Sequence, residues 1–156
     1  MDKISEQLFA AARIGDLDSI KSLLEHNAEV NAQDEKGFTP LIIASYNNQG
    51  AAVELLLQSG AEVDLSDLGG NTALMGVCFK GYPNIAELLI YHGADLNLKH
   101  GNGGTALMFA VLFGRNELAK ILLKHGADKT LRDFRGLNAM DIANQQGNEE
   151  AVQLLQ

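Results

Sequence analysis

The chain has 156 residues, 46% of them hydrophobic, with a mean hydropathy of -0.03 and a formal net charge of -8. That balance is too apolar for a disordered polypeptide, and its longest apolar runs, such as Ala106–Phe113, are far too short to span a bilayer. The acidic surface argues against nucleic-acid backbones and anionic membranes as partners, and the single cysteine, Cys78, leaves no internal disulfide to form.

The first residues, Met1-Asp2-Lys3-Ile4-Ser5-Glu6, are polar and lack the basic start and apolar run of a secretion signal. A cytoplasmic protein is the expectation. Further along, Thr39-Pro40-Leu41-Ile42 returns as Thr72-Ala73-Leu74-Met75 and Thr105-Ala106-Leu107-Met108, each time 33 residues on. Gly60-Ala61-Glu62 returns as Gly93-Ala94-Asp95 and Gly126-Ala127-Asp128. A fixed period of this length marks a stacked repeat array.

Each period holds two apolar segments with helical spacing. In the third, Ala73, Leu74, Val77 and Cys78 share one helix face, and Ile85, Ala86, Leu88, Leu89 and Ile90 share another. Gly81 breaks the chain between them. Pro83 stands where the second helix begins, a position whose N–H has no helical partner. Gly93 follows that helix, where a left-handed C-terminal cap belongs. Gly15, Asn48, Gly81, Gly114 and Gly147 repeat the first break, and Asn27, Gly60, Gly93 and Gly126 repeat the second. Asp34, Asp67 and Asp133 recur in the connecting loops, where a carboxylate binds nearby backbone N–H groups. His100 replaces that aspartate once, before Gly101-Asn102-Gly103-Gly104, so that loop is expected to be looser.

These residues resemble the ankyrin repeat family over essentially the whole chain. The carrying motifs are Asp34-x-x-Gly37-x-Thr39-Pro40-Leu41, Asp67-x-x-Gly70-x-Thr72-Ala73-Leu74, Leu88-Leu89-x-x-x-Gly93-Ala94-Asp95 and Leu122-Leu123-x-x-x-Gly126-Ala127-Asp128. The histidine usual after Thr-Pro-Leu is replaced by Ile42, Met75 and Met108, and the last unit decays to Asn138-Ala139-Met140-Asp141. The resemblance implies an all-α solenoid of stacked antiparallel helix pairs with short β-hairpin loops. It divides the single array, residues 1–156, into units of about 1–36, 37–69, 70–102, 103–135 and 136–156. One helix pair cannot bury its own apolar face, so neighbouring pairs must supply the other wall. The polar first and last units read as caps, with no catalytic domain attached.

Chemistry is not the expected role. His26, His92 and His125 share one slot, but zinc ligands must converge within about 2 Å of one ion, whereas equivalent side chains on stacked units diverge. Cys78 falls in a small packed slot, shared with Ser45 and Val111, and a buried thiol is inert. The glycines at 101–104 lack the Lys-Ser/Thr of a phosphate loop. No cofactor, metal or catalytic residue is expected.

The informative register ends each first helix. The family uses it, with the hairpin tips, to line a concave binding face. Here it reads Arg13, Tyr46, Phe79, Leu112 and Gln145, followed by Ile14, Asn47, Lys80, Phe113 and Gln146. Tyr46, Phe79 and Leu112 form a ladder with Phe113 alongside, and Phe38, Leu68 and Phe134, followed by Arg135, are assigned to the loop tips. Leu41, Leu74 and Leu107, with Leu56, Leu89 and Leu122, already supply the stack interior, so this second apolar ladder is surplus to it. Large apolar side chains each contribute roughly 1.5–3 kcal/mol when buried, and aromatics and arginine are the usual interface anchors. The expectation is a protein-binding module, its partner carrying a basic rim to match the acidic surface. A self-associating structural protein using the same ladder is the alternative, and the chain is expected to be a monomer or a weak homodimer. Rings folded onto the hairpin stems, merely shielding them, are the structural alternative to both.

Overall fold

The computed structural model describes all 156 residues as ten α-helices joined by tight turns. They run in pairs: α1 (Lys3–Ile14) with α2 (Leu17–Glu25), α3 (Pro40–Tyr46) with α4 (Gly50–Gln58), and α5 (Ala73–Lys80) with α6 (Pro83–Tyr91). The last two pairs are α7 (Ala106–Leu112) with α8 (Asn116–Lys124), and α9 (Ala139–Gln146) with α10 (Glu149–Leu155). Within each pair the two helices touch. The odd-numbered helices also pack on one another in succession, and so do the even-numbered ones. The chain is thus a solenoid with a first-helix layer and a second-helix layer.

Local chemistry explains why the helices begin where they do. Thr39, Thr72 and Thr105 are N-caps whose Oγ1 accepts from the N–H of Ile42, Met75 and Met108, at 3.1, 3.3 and 3.4 Å. Such a cap satisfies one of the donors that a helix start leaves without a partner. The decayed phrase of the last unit keeps the function by other means. Asn138 Oδ1 accepts from the Asp141 N–H, and Asp141 Oδ2 accepts from the Asn138 N–H, closing a capping box. Ile42, Met75 and Met108, which stand in place of the family's histidine, are buried.

The breaks fall at the expected residues. Asn27 and Asn48 adopt positive φ, 66° and 58°, in registers that glycine otherwise fills. Between pairs, Asp34 Oδ1 accepts from the N–H groups of Lys36 and Phe38, and Asp67 and Asp133 repeat this in their own turns. The expected looseness at His100 is not seen in the bonding. His100 Nδ1 accepts from the Asn102 N–H at 3.2 Å, Asn102 Oδ1 accepts from Gly104, and the His100 N–H still donates to the Gly104 carbonyl at 2.8 Å. Two side chains together do what one aspartate does elsewhere. The hairpin character of these loops is minimal, with a single β-bridge, Ser66 to Thr72.

The core is one continuous cluster between the layers. Leu8, Leu41, Leu74 and Leu107 line it from the first layer, and Leu56, Leu89 and Leu122 from the second, each at most 2% exposed. Polar ties reinforce the stack. Asn31 Oδ1 accepts from the Glu62 N–H at 2.9 Å, Asp64 from Asp95 at 3.0 Å and Asn97 from Asp128 at 2.9 Å, so one side chain per unit holds the backbone of the next.

Candidate functional site

The first-helix layer and the turns beside it form a groove of about 600 Å³, floored by Ile42, Ile43, Met75 and Gly76. Five of the nine aromatic residues in the chain line it: Phe38, Tyr46, Phe79, Phe109 and Phe113. Since aromatics are scarce in this sequence, their concentration here sets the groove apart from the rest of the surface.

The helices fix how the rings stand. Tyr46 ends α3 and Phe79 lies one residue before the end of α5, so stacking the two helices brings the rings side by side. Their planes are 4° from parallel with centroids 6.3 Å apart. Phe113, just past α7, meets Phe79 edge-on at 4.7 Å and 85°, a favoured geometry for aromatic pairs. Tyr46, Phe79 and Phe113 remain 42%, 42% and 41% exposed. The rings therefore do not sink into the core.

Gly76 is what makes room. The same register holds Ile43 and Phe109 in the neighbouring units, and a Cβ built on Gly76 would lie 3.4 Å from the Tyr46 ring. A glycine inside a helix costs about 1 kcal/mol relative to alanine, and here its bare Cα leaves the groove open. Sequence reasoning overlooked Gly76, although a helix-interior glycine flanked in register by large apolar residues was a usable signal. It also overlooked Phe109, whose ring lies edge-on to His100 at 5.4 Å.

The other expected site residues divide. Phe38 does not sit at a loop tip. It lies three residues beyond the tip register of Leu68 and Phe134, is half-buried against the core and forms part of the groove wall. Leu112 is half-buried on the core and does not line the groove, and Phe113 supplies the third ring instead. Leu68 and Phe134 project from the tips, 81% and 76% exposed, outside the groove. Their N–H groups donate to the carbonyls of Lys36 and Asn102 in the preceding turns. Arg135 is turned back on Asp133, donating to Oδ2 from Nη2 at 2.8 Å and Nε at 3.1 Å. Burial of Asp133 opposes its ionisation, but the Arg135 and Leu137 hydrogen bonds outweigh this and hold the carboxyl below its ordinary range.

Electrostatically the two layers differ. First helices and the turns before them (residues 1–14, 32–46, 65–80, 98–113 and 131–146) carry seven acidic and seven basic residues. The remaining segments, second helices with the loops after them, carry thirteen acidic and five basic, which accounts for the whole net charge of -8. The groove side is therefore neutral.

The residues weighed for chemistry lie apart from one another. Cys78 is fully buried, and burial pushes its thiol up to about 12. His125 meets Glu87 at 3.1 Å and His92 meets Glu54 at 3.5 Å, while His26 Nδ1 lies 2.7 Å from the Ser22 carbonyl. The three histidines thus belong to three separate pairings, and no three His, Cys, Asp or Glu side chains gather where a metal would sit.

The family model for ankyrin repeats (3 copies) matches residues 8–100 and 74–156. The chain belongs to the ankyrin repeat family. Ankyrin repeats are protein–protein interaction modules, a role that requires an exposed surface of the kind found here. A relative, the ARF GTPase-activating protein Git of Drosophila melanogaster, is 43% identical over 53 residues. That match spans 34% of this chain and 7% of the relative, so it bears on the repeats alone. No helix is long and apolar enough to cross a membrane.

Proposed function

We propose that this ankyrin protein binds another protein through the aromatic groove of its first-helix layer, without catalysing a reaction. The observation that carries the reading is the Tyr46–Phe79–Phe113 ladder, three rings left about two-fifths exposed where the other apolar residues of α3, α5, α7 and α9 are buried or half-buried, the other exposed large apolar residues of the first helices, Ile4 and Ile14, lying on the terminal α1. A ring held against its neighbour loses little freedom when a partner covers it, so its burial is retained as affinity. Tyr46, Phe79 and Phe113 are the anchors in this reading, with Phe38 as the wall. Leu68, Phe134 and Arg135 extend the contact only for a partner large enough to reach the turn tips, and Leu112, half-buried on the core, is not an anchor. A single thiol, buried and unpaired, suits the reducing cytoplasm.

The test is hydrogen exchange on the complex with a partner captured from the source organism. Protection is expected in 40–47, 73–80 and 106–113. Protection confined to α4, α6 and α8 would place the interface on the opposite layer and end this reading.

A further inference from the structure

The chain as a whole is acidic, yet the charges open to a groove ligand are basic. Two charged residues line the groove, Arg13 and Asp67. The Asp67 carboxylate is already occupied: Oδ1 accepts from the N–H groups of Gly69 and Asn71 at 2.8 and 2.9 Å, and Oδ2 accepts from the Asn71 side chain at 3.1 Å. Arg13 takes part in none of the five ion pairs of the chain. Lys80 takes part in none either, and its ammonium stands 4.9 Å from the centroid of the Tyr46 ring. Arg13 holds the register of Tyr46 one unit earlier, so the ladder is flanked by two cations without an anionic partner.

We infer that the groove takes an acidic, apolar peptide segment, in which one or two large apolar side chains lie over Tyr46 and Phe79 while carboxylates meet Arg13 and Lys80. This deepens the proposed function and rests on the groove being the binding face. It also replaces the basic-rimmed partner expected from total charge, because that charge lies on the other layer. A basic segment would bring like charges against Arg13 and Lys80, and the one carboxylate that lines the groove, Asp67, has its oxygens engaged by its own turn. Complementary charge of this kind raises association rates and selects among partners more than it adds affinity, and it weakens as salt screens it.

The experiment selects a random peptide library displayed on phage against the full chain. The best peptide is then titrated by fluorescence anisotropy against wild type, Phe79→Ala, Arg13→Glu/Lys80→Glu and Lys21→Glu/Lys124→Glu. The last pair makes the same charge change on the second helices, and far-UV circular dichroism checks that each variant folds. The selected sequences are expected to carry Asp or Glu beside a large apolar residue and to lose binding with Phe79→Ala. Arg13→Glu/Lys80→Glu is expected to weaken binding roughly tenfold or more, the scale of two partly exposed ion pairs reversed, while Lys21→Glu/Lys124→Glu leaves it unchanged. Peptides that need Phe79 yet lack acidic residues, or that lose as much with either charge-reversed pair, would overturn the inference and leave the groove standing. Peptides indifferent to Phe79 would overturn both.

Discussion

The ring of Tyr46 lies parallel to that of Phe79, 6.3 Å between centroids, although the two are 33 residues apart in the chain. Nothing local holds them together. They meet because α3 packs on α5, and beside Tyr46 stands Gly76, where even a Cβ would lie 3.4 Å from the ring.

Substitutions at Gly76 are therefore expected to separate stability from binding. Gly76→Ala places a methyl at ordinary contact distance from Tyr46 and is expected to raise unfolding free energy by roughly 0.5–1 kcal/mol with partner binding retained. Gly76→Ile, the residue type of Ile43 one unit earlier, fills the groove and is expected to remove binding while the urea midpoint stays at or above wild type. Retained binding by Gly76→Ile would show that the floor of the groove is not part of the interface.

The stack interior is tested at Leu89, which is fully buried between α4 and α8 in the second layer. Leu89→Ala is expected to lower unfolding free energy by roughly 2–5 kcal/mol in urea titration. A loss below about 1 kcal/mol would be too small for a site without solvent access.

Much of this was legible in the chain itself, because the deciding interactions are local. Threonine caps at 39, 72 and 105, and left-handed residues at 15, 48, 81, 114 and 147, act within a turn or two of where they stand. The site was less legible. Whether Leu112 or Phe113 completes the ladder depends on which one finds the edge of Phe79, a contact between units that a register does not carry. Placing Phe38 among the tips failed for a different reason: it falls after the turn, where the chain already descends toward the Thr39 cap.

The ladder formed by Asn31, Asp64 and Asn97 was written in the sequence at 33-residue spacing, and its meaning emerges only when the units are stacked. Each side chain accepts from a backbone N–H of the next unit. Asn97→Ala is expected to speed exchange of the Asp128 amide selectively and to reduce stability by about 1 kcal/mol. Equal acceleration at Glu62 and Asp95 would indicate global loosening rather than the loss of one tie.

Cys78 gives a pH prediction with a definite sign. Burial raises its folded-state pKa from 9.0 to about 12. Above about pH 9 the unfolded chain sheds a proton that the folded chain keeps, so stability falls as pH rises through this window toward 12. The fall is expected to be roughly 1 kcal/mol between about pH 9 and pH 10. Cys78→Val, which matches Val111 in the next unit, should remove that slope and leave the rest of the alkaline profile. In the native protein at about pH 8 the thiol is expected to resist a disulfide reagent and to react once urea unfolds the chain. Fast labelling without denaturant would contradict its burial.

If another protein covers the exposed rings, removing them must remove the partner. The deciding measurement compares wild type with Tyr46→Ala/Phe79→Ala in capture of the partner from a lysate, alongside far-UV circular dichroism. The double variant is expected to keep its helicity and lose the partner. Undiminished capture by a folded double variant would contradict it.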